Sequence, residues 1–286
     1  MNELEKVICN DVMADHQYVV DLRRYFHMNP ETAKEEFGTA KRIEEELDKL
    51  GIEHKRVGET GVYAEIKGNL AGDKTIVLRA DIDALDVEEA HECPYKSTIP
   101  GKMHACGHDG HITVGLGTAK LLCQIREQLH GTVKFIFQPA EEGVRGARAI
   151  VENGHLKDVD FLLAAHMYGG SEQHPCGICI TAGHGLATTK LDVDFHGKAS
   201  HAAAAPEQGN NALLAAATAV LNLQAIPRHG KADTRINVGK LVAGSGRNII
   251  CDAAHMELEV RGKTSEANQY MPVSYTHLRA HETSAH

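Results

Sequence analysis

Apolar positions recur with helical spacing twice near the start of the chain. Val19, Leu22, Tyr25 and Phe26 fall on one face of a first predicted helix. Ala40, Ile43, Leu47 and Leu50 do so in a second, which Gly51 ends. Strand-like runs then alternate with helical ones. Residues 61–67 and 75–80 read as strands, and 112–129 as a helix with apolar residues at 112, 116, 119, 122, 125 and 129. Residues 132–137 form a predicted strand, 147–153 a short helix, 161–165 an apolar buried strand and 178–182 another. This βαβ alternation predicts an α/β domain with a largely parallel sheet over residues 1–185.

The pattern changes after Gly185. Residues 190–196 alternate apolar and polar like a half-exposed strand. An alanine-rich helix follows over 210–226, with Asn210 or Asn211 as its cap. Strands over 235–242 and 256–261 come next, and Ser265 starts another helix. The order β-α-β-β-α predicts a small α+β domain over residues 186–272, lacking its last strand. Residues 273–286 continue neither periodicity and are expected to be a non-native tail, whose three histidines are not counted as ligands.

Composition narrows the function classes. The 286 residues are 42% hydrophobic and 24% charged, as in soluble globular proteins. A net charge of -9 argues against a nucleic-acid partner. The most apolar stretch, 213–223, falls well short of the ~20 residues that cross a bilayer, so no membrane partner is expected. The opening residues carry no apolar signal-peptide core, and the seven cysteines are an odd, scattered set, so the expected compartment is the cytoplasm. The 19 histidines are the unusual figure, and some of them cluster.

His104-Ala105-Cys106-Gly107-His108-Asp109-Gly110-His111 packs three histidines, a cysteine and an aspartate into eight residues. Thiolate and imidazole suit zinc-like ions, and glycine permits the tight backbone that lets close neighbours converge. Phe137-Gln138-Pro139-Ala140-Glu141-Glu142, Arg79-Ala80-Asp81-Ile82-Asp83 and His166 each sit where a predicted strand ends. Taken singly, each has a bland reading: an acidic loop, a surface charge or a packed histidine. Delivered together to one edge of an α/β sheet, they supply donors for two divalent ions, manganese or zinc, and a spare glutamate to act as base. Cys176-Gly177-Ile178-Cys179 is a single CxxC entering an apolar run and reads as structural.

These blocks resemble the signatures of the co-catalytic metallopeptidases of the aminoacylase and glutamate carboxypeptidase superfamily, in the amidohydrolase branch that includes auxin-conjugate hydrolases. Residues 142–149, 187–190, 210–217 and 244–248, with Asp86, are most similar to the aminobenzoyl-glutamate hydrolase subgroup. The likeness runs from about residue 23 to residue 271. It implies a zinc-peptidase-like catalytic domain with an inserted ferredoxin-like lid and dimerisation domain. It implies Cys106, His108, Glu142 and His166 as metal ligands, Glu141 as general base and Asp83 as a supporting residue. In the lid it implies that His201 polarises the scissile carbonyl, often across a dimer, and that Asn248 and Arg261 grip a substrate carboxylate. Cys251 stands where relatives have proline.

The activity so implied is hydrolysis of an N-acyl amino acid amide, with aminobenzoyl-glutamate as the leading substrate, by a homodimer or by a heterodimer with a related chain. The alternatives are general N-acyl amino acid deacylation and a non-catalytic role in binding or regulation. A further metal-binding histidine is expected from a later segment, so this chain alone is expected to be inactive.

Overall fold

The computed structural model describes residues 3–143, 146–168, 177–178 and 185–270. The chain divides into two compact units, Met1–Gly177 and Ile178–His286.

In the first unit the helices α1 (Glu3–Ala14), α2 (His16–Met28) and α3 (Phe37–Lys49) precede three strands, β1 (His54–Val57), β2 (Gly61–Lys67) and β3 (Leu70–Asp81). Helix α4 (His108–Gln124), strand β4 (His130–Gln138), helix α5 (Ala147–Glu152) and strand β5 (Phe161–Ala164) follow. The sheet order is β1-β2-β4-β3-β5. Strands β4, β3 and β5 run parallel, while β1 and β2 add antiparallel at one side. Most of each predicted helical face packs: Leu22 and Phe26 of α2, Ala40, Ile43 and Leu47 of α3, and Ile112 and Leu116 of α4 bury against Ala64, Ile66, Phe135 and Phe137 of the sheet, whereas Tyr25, expected on the α2 face, is exposed. Gly51, at φ 65°, ends α3 as its position predicts.

Two expectations need correction. Helix α4 begins at His108, not at 112, because Gly107 caps it in a left-handed conformation and the ligand motif itself forms the first turn. It ends at Gln124, and a 3₁₀ turn over Arg126–Gln128 takes up the rest of the predicted span. Strand β5 is apolar but exposed at all four residues. It pairs with β3 along one edge, and among the described residues no strand covers the other. The strand expected at 178–182 falls largely outside the described residues, as do Cys176, Cys179 and the tail from 271.

The second unit holds β6 (Ala187–His196), α6 (Ala212–Ala225), β7 (Thr234–Ala243) and β8 (Ala253–Gly262), with residues 265–270 helical. The sheet order is β6-β8-β7, both pairings antiparallel. Leu223 of α6 packs on Ile236, Met256, Leu258 and Val260. Asn211, not Asn210, caps α6: its side chain accepts hydrogen bonds from Leu213 N and Leu214 N. The element order is the β-α-β-β-α expected of the small α+β domain.

Candidate metal centre

Parallel pairing brings the motifs to one edge. Asp81 lies opposite Gln138, and Arg79 opposite Ala164. The residues just past these positions, Asp83, Glu141, Glu142 and His166, therefore leave the sheet on the same side. The turn after β4 is held from behind by Glu36, which is fully buried. One of its carboxylate oxygens accepts from Ala140 N and the other from Thr60 Oγ1. Ala140 adopts φ 50°, so the chain reverses there and delivers both glutamates to the edge.

Backbone partners fix which nitrogen each histidine presents. His108 Nδ1 donates to the Asp83 carbonyl at 2.8 Å. Its proton is thereby placed, and Nε2 is left as a fully buried lone pair with no hydrogen-bond partner. His166 Nδ1 donates to the Met167 carbonyl at 2.7 Å, and its Nε2 faces Cys106 Sγ at 3.5 Å. Donor atoms of Cys106, His108 and His166 lie within 4.8 Å of one another, as do those of His108, Glu141 and Glu142. His108 Nε2 is 4.0 Å from Glu141 Oε2. The structure thus brings together all four residues expected as ligands and the expected base. An orphaned imidazole nitrogen, a thiol, a second imidazole and two carboxylates form a donor set that fits zinc or manganese.

The electrostatics point the same way. Burial pushes the Cys106 thiol up to about 12, and its hydrogen bond to Glu142 and the charges of Glu141 and Asp81 add to the effect. Glu141 is raised by burial and by Asp81 and Glu142. So many acidic groups around one thiol form a site that a divalent cation would relieve. Asp83 moves the other way. Burial opposes its ionisation, but hydrogen bonds from His108 and from the Glu142 and Glu141 backbone outweigh burial and hold its carboxyl low. Its Oδ2 accepts from Glu142 N at 2.8 Å, so Asp83 ties the histidine turn to the glutamate turn.

Sequence reasoning missed the layer beneath. Asp109 accepts from His27 Nδ1 at 2.7 Å and pairs with Arg23 at 2.9 Å, while His27 Nε2 meets Glu89 at 3.1 Å. This network bolts α2 to the start of α4. His104 is buried without a hydrogen-bond partner, and burial lowers it to about 4, so it is neutral packing beneath the loop. Asp81 and His111 are also buried here. The i, i+3 spacing of His108 and His111 was the signal available for the latter.

In the second unit His201 and Asn248 are neighbours. His201 bridges to Ile249, and Ala202 N donates to the Asn248 carbonyl. His201 Nδ1 accepts from Ala203 N and Ala204 N, so the proton of the neutral ring is on Nε2, free to donate outward. Arg261 is not with them. It lies eight positions along β8 from Ala253, roughly 26 Å at strand rise, and Asn248 precedes that far end in the chain. The Arg261 fork is engaged by Glu259 at 3.0 and 3.1 Å.

The fold and site define an α/β protein with a candidate metal centre at the carboxyl edge of its sheet. The profile of Peptidase family M20/M25/M40 matches residues 77–259, and the chain belongs to that family. It is 46% identical over 222 residues to the indole-3-acetyl-aspartic acid hydrolase of Enterobacter agglomerans, covering 75% of this chain and 50% of that protein. It is 40% identical to a p-aminobenzoyl-glutamate hydrolase chain of Escherichia coli K12, covering 87% of this chain and 67% of that protein. A solved Bacillus subtilis structure, described as a dinuclear metal binding peptidase from the M20 family, superposes with a TM-score of 0.66 at 34% identity, covering 92% of this chain and 68% of that one. The chain spans about half the length of the first curated relatives it matches.

Proposed function

We propose that this chain carries the metal-binding core of an amidohydrolase that cleaves an N-acyl amino acid, with aminobenzoyl-glutamate as the leading substrate. Cys106, His108, Glu142 and His166 would hold two divalent ions, manganese or zinc. The observation that carries the reading is the convergence of Cys106, His108 and His166 around a buried, unpartnered His108 Nε2. When bound, such ions polarise a carbonyl and make water acidic enough to attack it. The protein's own part falls to Glu141. Its carboxylate is raised by burial and like charge, a poise suited to taking a proton and returning it to the leaving amine. Asp83 orients His108. His201 Nε2–H is a donor suited to a carbonyl oxygen.

The relatives named for indole-3-acetyl-aspartic acid and p-aminobenzoyl-glutamate both act on acyl groups joined to an acidic amino acid, which supports glutamate or aspartate as the released product. Arg261 is the candidate for the substrate carboxylate, in exchange for Glu259. Its distance along β8 from Asn248 supports a dimer in which one substrate meets Arg261 of one chain and the His201 and Asn248 positions of another. Free thiols at Cys93, Cys106, Cys123 and Cys251 support a reducing, cytoplasmic setting.

The test is Glu141→Gln in the intact protein, assayed for glutamate release from aminobenzoyl-glutamate. Metal content is expected to stay unchanged while turnover falls by about 100-fold or more. Loss of metal with activity kept would reverse the two glutamate roles.

A further inference from the structure

His111 has no part in the ligand set above, yet it is 2% exposed and lies one helical turn after His108. Its nitrogens face two different partners. Met167 N–H donates to Nε2 at 2.8 Å, so Nε2 is an acceptor. A neutral imidazole that accepts at Nε2 carries its proton on Nδ1, and Nδ1 faces Asp81 Oδ2 at 3.6 Å, with Asp81 only 1% exposed. That 3.6 Å approach is beyond hydrogen-bond reach, and Nδ1 has no hydrogen-bond partner, but a ring that accepts at Nε2 and is protonated at Nδ1 has no lone pair left for an ion. Asp81, His108 and His111 are close enough to resemble a metal site, but this tautomer excludes His111 from ligation.

Met167 directly follows His166, and a second feature holds it. A Cβ on Gly107 would lie 2.7 Å from Met167 Cβ, and one on Gly110 would lie 2.5 Å from Met167 Cε. The first turn of α4 is therefore bare where Met167 rests on it. One side of this residue is seated on two glycines, and its backbone is pinned by the histidine on the same turn.

We propose that His111 is a positioning residue. Together with Gly107 and Gly110 it latches Met167 to the start of α4, and so holds His166 Nε2 against Cys106. The tautomer is set by the latch itself, since Nε2 accepts from Met167 N. The inference rests on the metal-ligand role proposed for His166.

The test compares His111→Phe, which keeps the ring but loses the acceptor, with His111→Gln, whose amide oxygen can replace Nε2. Two readouts are taken on the full chain: amide hydrogen exchange at Met167 without metal, and cobalt(II) titration followed by the thiolate-to-cobalt absorption band. The Phe variant is expected to speed exchange at Met167 by about 10-fold or more and to weaken cobalt binding by about 10- to 100-fold, the range for loss of a residue that orients a ligand. The Gln variant is expected to restore both toward wild type. Unchanged exchange at Met167 together with wild-type cobalt affinity in the Phe variant would overturn the latch alone. Equal losses in the Gln and Phe variants would also overturn it, since general packing would then be the cause. If the wild type shows no cobalt band that depends on Cys106, the metal-site reading fails, and the latch falls with it.

Discussion

His27 touches a carboxylate with each ring nitrogen, Asp109 on one side and Glu89 on the other. Its pKa is raised, first by the hydrogen bond to Asp109, against burial, with Glu89 adding to the rise. A group whose folded pKa lies above its unfolded value stabilises fully below the unfolded value, near 6.5, and the gain disappears as pH rises through the folded value. The melting temperature should therefore decline as pH is raised above about 6.5, and His27→Gln should flatten that part of the profile. An identical slope in the variant would show that His27 contributes nothing to it. At this scale the sequence made the donors legible, because Cys106, His108, Glu141, Glu142 and His166 sit in dense motifs or at strand ends. It left Glu36 and His27 unread. Each works through a partner far away in the chain, 104 positions in the case of Glu36 and Ala140, and no local pattern encodes such a contact.

Helix α4 carries the site because its first turn is built from the ligand motif. Gly107 holds φ 83° there and lies under Met167. Gly107→Ala should cost about 1–2 kcal/mol for the left-handed backbone alone, plus the displacement of Met167, measured by chemical denaturation. Gly117→Ala is the control: it lies inside the same helix, and its Cβ would meet only Val19 Cγ2 at 3.4 Å. That change should stabilise by about 0.5–1 kcal/mol. Equal effects of the two would contradict the assigned backbone constraint. Elements with a buried face were legible, since α2, α3 and α4 show their apolar period directly. Helix α1 has apolar residues at helical spacing, Leu4, Val7 and Ile8, yet none of its residues is buried, and β1 reads His-Lys-Arg-Val, too short and polar to mark a strand. Strand β5 misled in the other direction. Phe161, Leu162 and Leu163 are apolar in sequence, yet 62%, 51% and 55% exposed.

At the scale of the molecule, the chain folds as two units with separate cores. Among the described residues no helix is long and apolar enough to cross a membrane. The sequence shows a change of pattern near residue 185, from βαβ alternation to apolar-polar alternation, while the compact units part at Gly177 and Ile178 and β7 is bulged between Val238 and Lys240. On the second unit, α6 leaves Leu214 64% and Leu221 73% exposed, an apolar face of the kind that pairs protomers. Sedimentation of the intact protein should show a dimer, and Leu214→Glu with Leu221→Glu should shift it toward monomer. A fully active monomer would remove the role assigned to this face. The claim on which the rest depends is that Cys106 and the imidazoles around it bind metal. X-ray absorption at the zinc edge on the zinc-loaded chain tests it most directly. The account predicts one sulfur at about 2.3 Å beside nitrogen and oxygen ligands near about 2.0–2.2 Å, with the sulfur lost in Cys106→Ser. Zinc that fails to bind, or that binds with the same sulfur-free shell in both proteins, would contradict it.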